Sequence, residues 1–400
     1  MDINDIQKKI NSVNWNFDFT INYESGMSRP FNCRKYYSYP ATFIPEIPYT
    51  LIEILSNKGD IVLDPFGGIG TTFMQALLLE RMPFSYDINP VAFNVCNVLY
   101  QLFDPMFNRK RVKEQLLDWD NEYDERIDYT KRLSECRSEL KGWFESKTFN
   151  ELSYLFYKFD NVQDDNLRVV LQLVLPSILT TLSSQNKGWA YIADNVKPKA
   201  DEFRQKSVFD QFKTAVKVLL CDVENQINAL GNTYADFYRT IVRNKCVVND
   251  SIINTDLADE TVDLIITSPP YPRMIDYVKS QRLSFYFSGL NFQDYVACET
   301  GARYRRSRND ALETYEQQIL ETNQKMLNLL RPSGFLCLVL PDYDNNDDRK
   351  AVIEQIVKWH FDKGLKEVAK IGRYIPSHKR TLSIQWASLV NEHIYVFQKG

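Results

Sequence analysis

The 400 residues predict an α/β protein: a doubly wound, mostly parallel sheet with late antiparallel strands, interrupted by a large helical insert. Three observations carry this expectation. Near the N-terminus a strand, a Gly-rich turn, a helix and a second strand follow one another within about thirty residues, the opening unit of such a sheet. From about residue 101 to 245 glycine is sparse and the apolar spacing is helical. From Cys246 the strand–helix rhythm resumes.

The elements follow in order. Tyr39-Pro40-Ala-Thr-Phe43-Ile44-Pro45-Glu-Ile-Pro48 carries three prolines in nine positions, so it reads as an extended loop feeding a short helix over Tyr49–Leu55. Ile61–Asp64 is a short apolar run between Gly59 and Pro65, as a buried parallel strand requires. Thr72–Arg81 has helical spacing, Phe84–Asp87 is a second strand, and Asn89-Pro90 opens another helix. In the insert, helices are expected over Arg109–Asp120, Ser134–Phe149, Leu167–Leu182 and Phe203–Leu230. Beyond it, Val262–Thr267 and Gly334–Leu340 read as strands flanking an amphipathic helix over Leu312–Leu330. Val368–Ile375 and His393–Gln398 close the sheet.

Composition narrows the function. With 44% hydrophobic and 25% charged residues the chain is neither disordered nor collagen-like, and no apolar run reaches the ~18 residues of a membrane span. The acidic start has no apolar core, so no signal peptide is expected and the protein is read as cytoplasmic, with no membrane partner. A net charge of −4 argues against a chain that coats nucleic acid, though not against one local basic cleft. Seven scattered cysteines and three dispersed histidines offer no disulfide set and no metal site.

Two loops carry the chemistry. Asp64-Pro65-Phe66-Gly67-Gly68-Ile69-Gly70-Thr71-Thr72 leaves the first strand at the end where open sheets bind ligands. It lacks the third glycine of a dinucleotide fingerprint. Asp87, 23 positions after Asp64, ends the next strand, where an acid reaches ribose hydroxyls. An acid inside the loop would repel a pyrophosphate but attract an ammonium group. The implied ligand is a nucleoside with a zwitterionic tail and no phosphate, which describes S-adenosylmethionine. The second loop, Ser268-Pro269-Pro270-Tyr271, follows the strand Val262–Thr267. Its prolines stiffen the backbone, so the Pro269 carbonyl and the Ser268 hydroxyl can face one pocket, walled by Tyr271. Two acceptors and a flat stacking face suit an exocyclic amine on a planar ring.

Together the loops resemble those of S-adenosylmethionine-dependent amino-methyltransferases of nucleobases, with D-P-F-x-G-x-G-T-T as the cofactor loop and [DSN]-P-P-[YFW] as the catalytic loop. The Ser268 variant resembles the DNA (cytosine-N4-specific) enzymes, whereas Asp there is commoner in adenine-N6 enzymes. The resemblance spans residues 37–100 and 246–399 and includes Ile275-Asp276-Tyr277, Ile375–Arg380 and Glu392–Lys399. It implies a Rossmann-like class I methyltransferase fold, with a cofactor-binding half over 1–100, a helical insert over 101–245 that serves as possible target recognition, and a catalytic half over 246–400. Cofactor contacts are implied for Tyr37, Phe43 and Pro45, for Asp64, Pro65, Phe66, Gly67, Gly68, Gly70, Thr71 and Thr72, and for Asp87, Ile88 and Asp250. Catalysis is implied for Ser268, Pro269, Pro270 and Tyr271. Arg303, Arg305, Arg306, Arg308, Lys197 and Lys199 are the candidate phosphate contacts, because both groups alternate with aromatic or polar residues.

The reading is thus a methyltransferase of double-stranded DNA that makes N4-methylcytosine on a flipped base, paired with a restriction endonuclease or acting in phage defence. An adenine-N6 DNA enzyme, a tRNA guanosine-N2 enzyme sharing the loop pair, and a non-catalytic nucleic-acid-binding subunit stand as alternatives.

Overall fold

The computed structural model describes residues 2–17, 30–185, 197–305, 307–343, 347–375 and 391–400. Helix α1 (Ile3–Ser12) and α2 (Glu46–Leu55) precede β1 (Ile61–Asp64), α3 (Thr71–Leu78), β2 (Met82–Tyr86) and α4 (Pro90–Leu102). The insert holds α5 (Arg109–Leu117), α6 (Glu135–Ser138), α7 (Ser146–Asn161), α8 (Asp165–Leu182), α9 (Val208–Leu230) and α10 (Asn232–Ile241). Then come β3 (Val247–Val248), β4 (Val262–Thr267), the short helices α11 (Tyr277–Ser280), α12 (Arg282–Phe287) and α13 (Phe292–Val296), α14 (Ala311–Leu329) and β5 (Leu330–Asp342). α15 (Asp348–Asp362), β6 (Lys366–Tyr374) and β7 (Asn391–Gln398) complete the chain.

The strands form one sheet in the order β3-β2-β1-β4-β5-β7-β6. β1 pairs in parallel with β2 and β4, with Leu63 opposite Phe84 and Ile265. β7 runs antiparallel to both β5 and β6, so the reversal is confined to one strand and β6 keeps the common direction. This is the mostly parallel sheet with late antiparallel pairing that the sequence predicts, with β7 alone reversed where Val368–Ile375 and His393–Gln398 were both expected to run antiparallel.

Both faces are covered, which is why the central strands are apolar throughout rather than alternating. Val62, Leu264 and Ile266 pack on one side against Ile47, Leu51 and Ile52 of α2 and Ile6 and Ile10 of α1. Leu63 and Ile265 face the other side, in a core that runs without a break into the insert through Leu99, Val170, Leu171 and Leu220. The insert is therefore built into the body of the protein. Pro176 inside α8 has no N–H for the carbonyl of Gln172, and Asn94 Nδ2 of α4 donates to that carbonyl at 3.0 Å instead. Arg137, almost fully buried, donates to the Phe287 carbonyl of α12 at 2.8 Å and to Asp160 of α7 at 2.7 Å. These bonds fasten the insert to both halves of the sheet domain.

The boundaries differ from expectation where proline and glycine were weighed too heavily or too lightly. α2 starts at Glu46, capped by Pro45, and takes Pro48 into its first turn, where the missing N–H costs nothing. The helix expected over Ser134–Phe149 is three pieces: α6, a 3-10 turn over Glu139–Trp143, and α7. Among the described residues no helix is long and apolar enough to cross a membrane.

Candidate active site

β1 and β4 are neighbours at the centre of the sheet, and the strand order runs away from them in opposite directions. Ligands of open α/β sheets sit at that reversal, beyond the strand ends. Both predicted loops leave the sheet there. They border a cleft of about 300 Å³ whose walls include Tyr39–Phe43, Pro65–Gly68, Asp87–Asn89, Asp250–Ile253, Ser268 and Pro270. That is enough to take a small nucleoside ligand.

The glycines are explained by packing. A Cβ at Gly67 would lie 1.8 Å from Ser85 Oγ of β2, and one at Gly70 would lie 2.5 Å from Cys96 Sγ of α4. Gly70 also has φ of 87°, a conformation that favours glycine. The amide of Gly67 donates to the Tyr86 carbonyl at 2.9 Å, Gly70 to the Gly67 carbonyl at 2.9 Å, and Gly68 to Asp87 Oδ2 at 2.8 Å. All three glycine amides are thus engaged within the protein. Backbone approach is open, but these amides are not offered to a ligand as a phosphate cradle offers them.

Asp87 is half-buried at the cleft wall, and its Oδ1 accepts from the Asn89 amide at 2.8 Å. Burial, reinforced by the charge of Asp64, pushes its carboxyl up to about 6. Each oxygen keeps a lone pair for a further donor. Asp250 is exposed and turns its Oδ1 to the Ser251 amide at 2.7 Å and Asn254 Nδ2 at 2.9 Å. Ile88, 38% exposed, offers an apolar face between these two acids.

Asp64 is placed otherwise than the charge argument expects. Its carboxylate is buried and does not line the cleft. Oδ2 accepts from Thr72 Oγ1 at 2.7 Å; Oδ1 accepts from Thr267 Oγ1 at 2.7 Å and the Phe66 amide at 3.1 Å. Thr72 belongs to α3 and Thr267 immediately precedes Ser268, so Asp64 ties the two loops together. Desolvation raises it to about 6. Tyr37 also turns away: it is buried, with its hydroxyl bonded to Gln281 and Ser284. Phe43, Pro65, Phe66 and Thr71 line the cleft, whereas Pro45, Gly70 and Thr72 do not.

In the second loop, Ser268 and Pro270 line the cleft and Pro269 is buried beside them, whereas Tyr271, expected as the pocket's wall, is half-buried next to Ser268 and not part of the lining. The Tyr271 hydroxyl lies 3.4 Å from Ser268 Oγ and 3.4 Å from Glu392 Oε2. Glu392 is itself paired with buried Arg373 of β6. Burial, then the Glu392 charge, hold the phenol well above its ordinary range, so it stays a neutral ring.

Of the basic candidates, Arg305 is half-buried and spent locally, donating to the Tyr304 hydroxyl at 2.8 Å and to the Ala297 carbonyl. Arg303 sits in the same 3-10 turn, half-buried, and Arg308 is exposed. Lys197 is exposed beside Gly142 of the insert, and the Lys199 amide donates to Glu202 at 2.7 Å. Arg306 and the stretch 376–380 lie outside the described residues. Among the described residues no group of three His, Cys, Asp or Glu side chains is arranged to hold a metal.

Sequence reasoning assigns no site role to several cleft residues, among them Tyr39, Tyr277, Glu299 and Gln318. Tyr39 is buried, accepts from Asn89 Nδ2 at 3.1 Å, stacks on Tyr277 at 5.9 Å and covers Gly68. Glu299 and Gln318 complete the wall from the segment before α14 and from α14 itself. Tyr39 and Tyr277 stand inside the stretches Tyr39–Pro48 and Ile275–Tyr277 read above, and their aromatic rings were the available signal. Glu299 and Gln318 carry none.

Residues 4–97 match the model of the DNA methylase family that covers N6 and N4 enzymes. The chain is similar to the Type II methyltransferase M.BsoBI of Geobacillus stearothermophilus, 26% identical over 63% of this chain and 52% of that protein. It is similar to M.MjaVI of Methanocaldococcus jannaschii, 29% identical over 38% and 57% of the two. It is also similar to M.AvaI of Anabaena variabilis, 21% identical over 85% and 71%. The matches span little more than half the length of the first two relatives. They bear out the likeness to S-adenosylmethionine-dependent DNA methyltransferases and the cofactor it implies, and do not separate cytosine-N4 from adenine-N6 enzymes.

Proposed function

We propose that this chain is a DNA methyltransferase that transfers a methyl group from S-adenosylmethionine to the exocyclic amine of a flipped base, with cytosine N4 as the favoured target. The observation that carries the reading is the sharing of one cleft by the Gly67–Gly68 turn, Asp87 and Ser268, at the strand-order reversal. The family match and the Type II methyltransferase relatives support DNA as the substrate. A cognate restriction endonuclease is the partner that such relatives suggest.

The cleft suits the cofactor on its own terms. Asp87 can accept from ribose hydroxyls, Asp250 from an adenine amine, and Ile88 can pack on the purine. The internally bonded glycine amides fit a ligand without phosphates. When bound, S-adenosylmethionine supplies the methyl group from its sulfonium.

What remains for the protein is orientation. A ring-conjugated amine is a weak nucleophile, so its nitrogen lone pair has to be aimed. The Ser268 hydroxyl and the Pro269 carbonyl accept hydrogen bonds from the two amine N–H groups and leave that lone pair free toward the donor; one of these protons passes to solvent once the nitrogen carries the methyl group. Ser268 can do so because its own proton already points to the Tyr271 hydroxyl. The Tyr271 ring, anchored on Glu392, supplies the stacking face. No cysteine stands in Thr267–Tyr271 to form a covalent adduct with a ring carbon.

The test uses tritiated S-adenosylmethionine with duplex DNA and, separately, bulk tRNA. Label should enter DNA with the wild-type protein and fall at least about tenfold with Ser268→Ala, the scale of one lost transition-state acceptor. Label confined to tRNA would move the activity to an RNA base. Absence of label from both, with cofactor bound, would favour a non-catalytic binding subunit.

A further inference from the structure

A sulfonium cofactor of this kind carries a second cation, the α-ammonium of its amino-acid tail, and the cleft must receive it. Asp64 does not: three donors already hold its carboxylate, behind the cleft wall. Asp87 and Asp250 stand beyond β2 and β3, at the nucleoside end. From there the ligand crosses the Gly67–Gly68 turn toward Ser268, so its tail lies on the β4 side of the cleft. Glu321, also on that side, is exposed and solvated.

Glu299 is different. It lines the cleft and is only 5% exposed. Its Oε1 accepts from the Val278 amide at 3.0 Å, whereas Oε2 is out of reach of water and has no hydrogen-bond partner. The residue before that amide is Tyr277, whose ring stacks on Tyr39, and Tyr39 in turn covers Gly68. Two aromatic rings therefore connect the Glu299 carboxyl to the glycine turn. A buried carboxylate with one idle oxygen gains most from a cation with N–H donors.

We propose that Glu299 receives the α-ammonium of the cofactor's amino-acid tail through Oε2, as the positioning residue that fixes the distal end of the ligand. Burial, with Asp276 as a further repelling charge, pushes the free carboxyl up to about 7, against the pull of the Val278 and Tyr277 amides and the Lys279 charge. The assignment rests on the cofactor reading above.

Two ligands separate it from that reading. S-adenosylhomocysteine has the amino-acid tail, and 5′-methylthioadenosine has the same nucleoside without it. Affinities for both are to be measured calorimetrically on wild type, Glu299→Gln and Glu299→Asp, with melting curves for each. Glu299→Gln should weaken S-adenosylhomocysteine at least about tenfold, the scale of one charge-assisted hydrogen bond, and leave 5′-methylthioadenosine within about twofold. Glu299→Asp keeps the charge and should fall between. Equal loss of both ligands at an unchanged melting temperature, or no loss of either, would overturn the assignment. Wild type that binds neither ligand would overturn it together with the cofactor reading.

Discussion

Asp64→Asn isolates the tie between the two loops. At low pH the variant should cost little. An asparagine carbonyl at the Oδ1 position still accepts from Thr267 and Phe66, and the Thr72 hydroxyl can rotate to accept from the amide, so at most about 1 kcal/mol is lost. The charge is another matter. The folded carboxyl sits near 6 against an ordinary 3.8, so between those values the native state holds a proton that the unfolded chain has released. Wild-type stability therefore falls as pH rises from about 4 to about 6, and above that window the full penalty is present, about 3 kcal/mol from this site. Asparagine has no such penalty. Urea unfolding of both proteins at pH 4.5, 6 and 8 should show the variant gaining steadily on wild type and overtaking it by pH 8. A stability difference that does not change with pH would refute the claim that Asp64 is a desolvated structural carboxyl.

Four other perturbations follow from the same geometry. Gly70→Ala forces a side chain into a positive-φ site and against Cys96 Sγ at 2.5 Å; it should destabilise by at least about 1–2 kcal/mol in thermal melts, and Cys96→Ala should restore only part. Tyr271→Ala should cut turnover at least about a hundredfold while S-adenosylhomocysteine affinity stays put in calorimetry; joint loss would break the division between the loops. Nucleoside affinity should fall as pH drops through about 6, when Asp87 gains its proton, and Asp87→Ala should abolish that dependence. Arg308→Ala should lower the slope of log affinity against log salt for duplex DNA by about 1, whereas Arg305→Ala, which loses loop bonds, should lower the melting temperature and leave the slope alone.

The frame of this protein was legible because its signals are local. β1, the glycine turn and α3 are a contiguous apolar run, a breaker and a helix, and the structure places β1 as expected and starts α3 one residue early, ending it three residues short of Arg81. α8 starts two residues early and β4 falls as expected. What escaped depends on distance along the chain. Nothing in the sequence around Asp64 says that Thr267, 203 positions later, will take its Oδ1, so its charge looked available to a ligand. Arg305 reads as a phosphate contact until Tyr304 and Ala297 are seen to hold it. The Asn94 amide that replaces the lost bond of Pro176 is equally invisible in sequence, although it explains how a proline sits deep in α8. Glu299 is an unremarkable acid until burial strips one of its oxygens of partners.

The claim on which all of this turns is that Ser268, Pro269 and Tyr271 present an exocyclic amine to the cofactor. Nucleoside mass spectrometry on duplex DNA, after incubation with the protein and isotopically labelled S-adenosylmethionine, tests it at the atom concerned. Label is expected in N4-methylcytosine. Label in N6-methyladenine would keep the amine chemistry and move the target base. Label in 5-methylcytosine would contradict the account, because a ring carbon needs the covalent nucleophile that this loop does not contain.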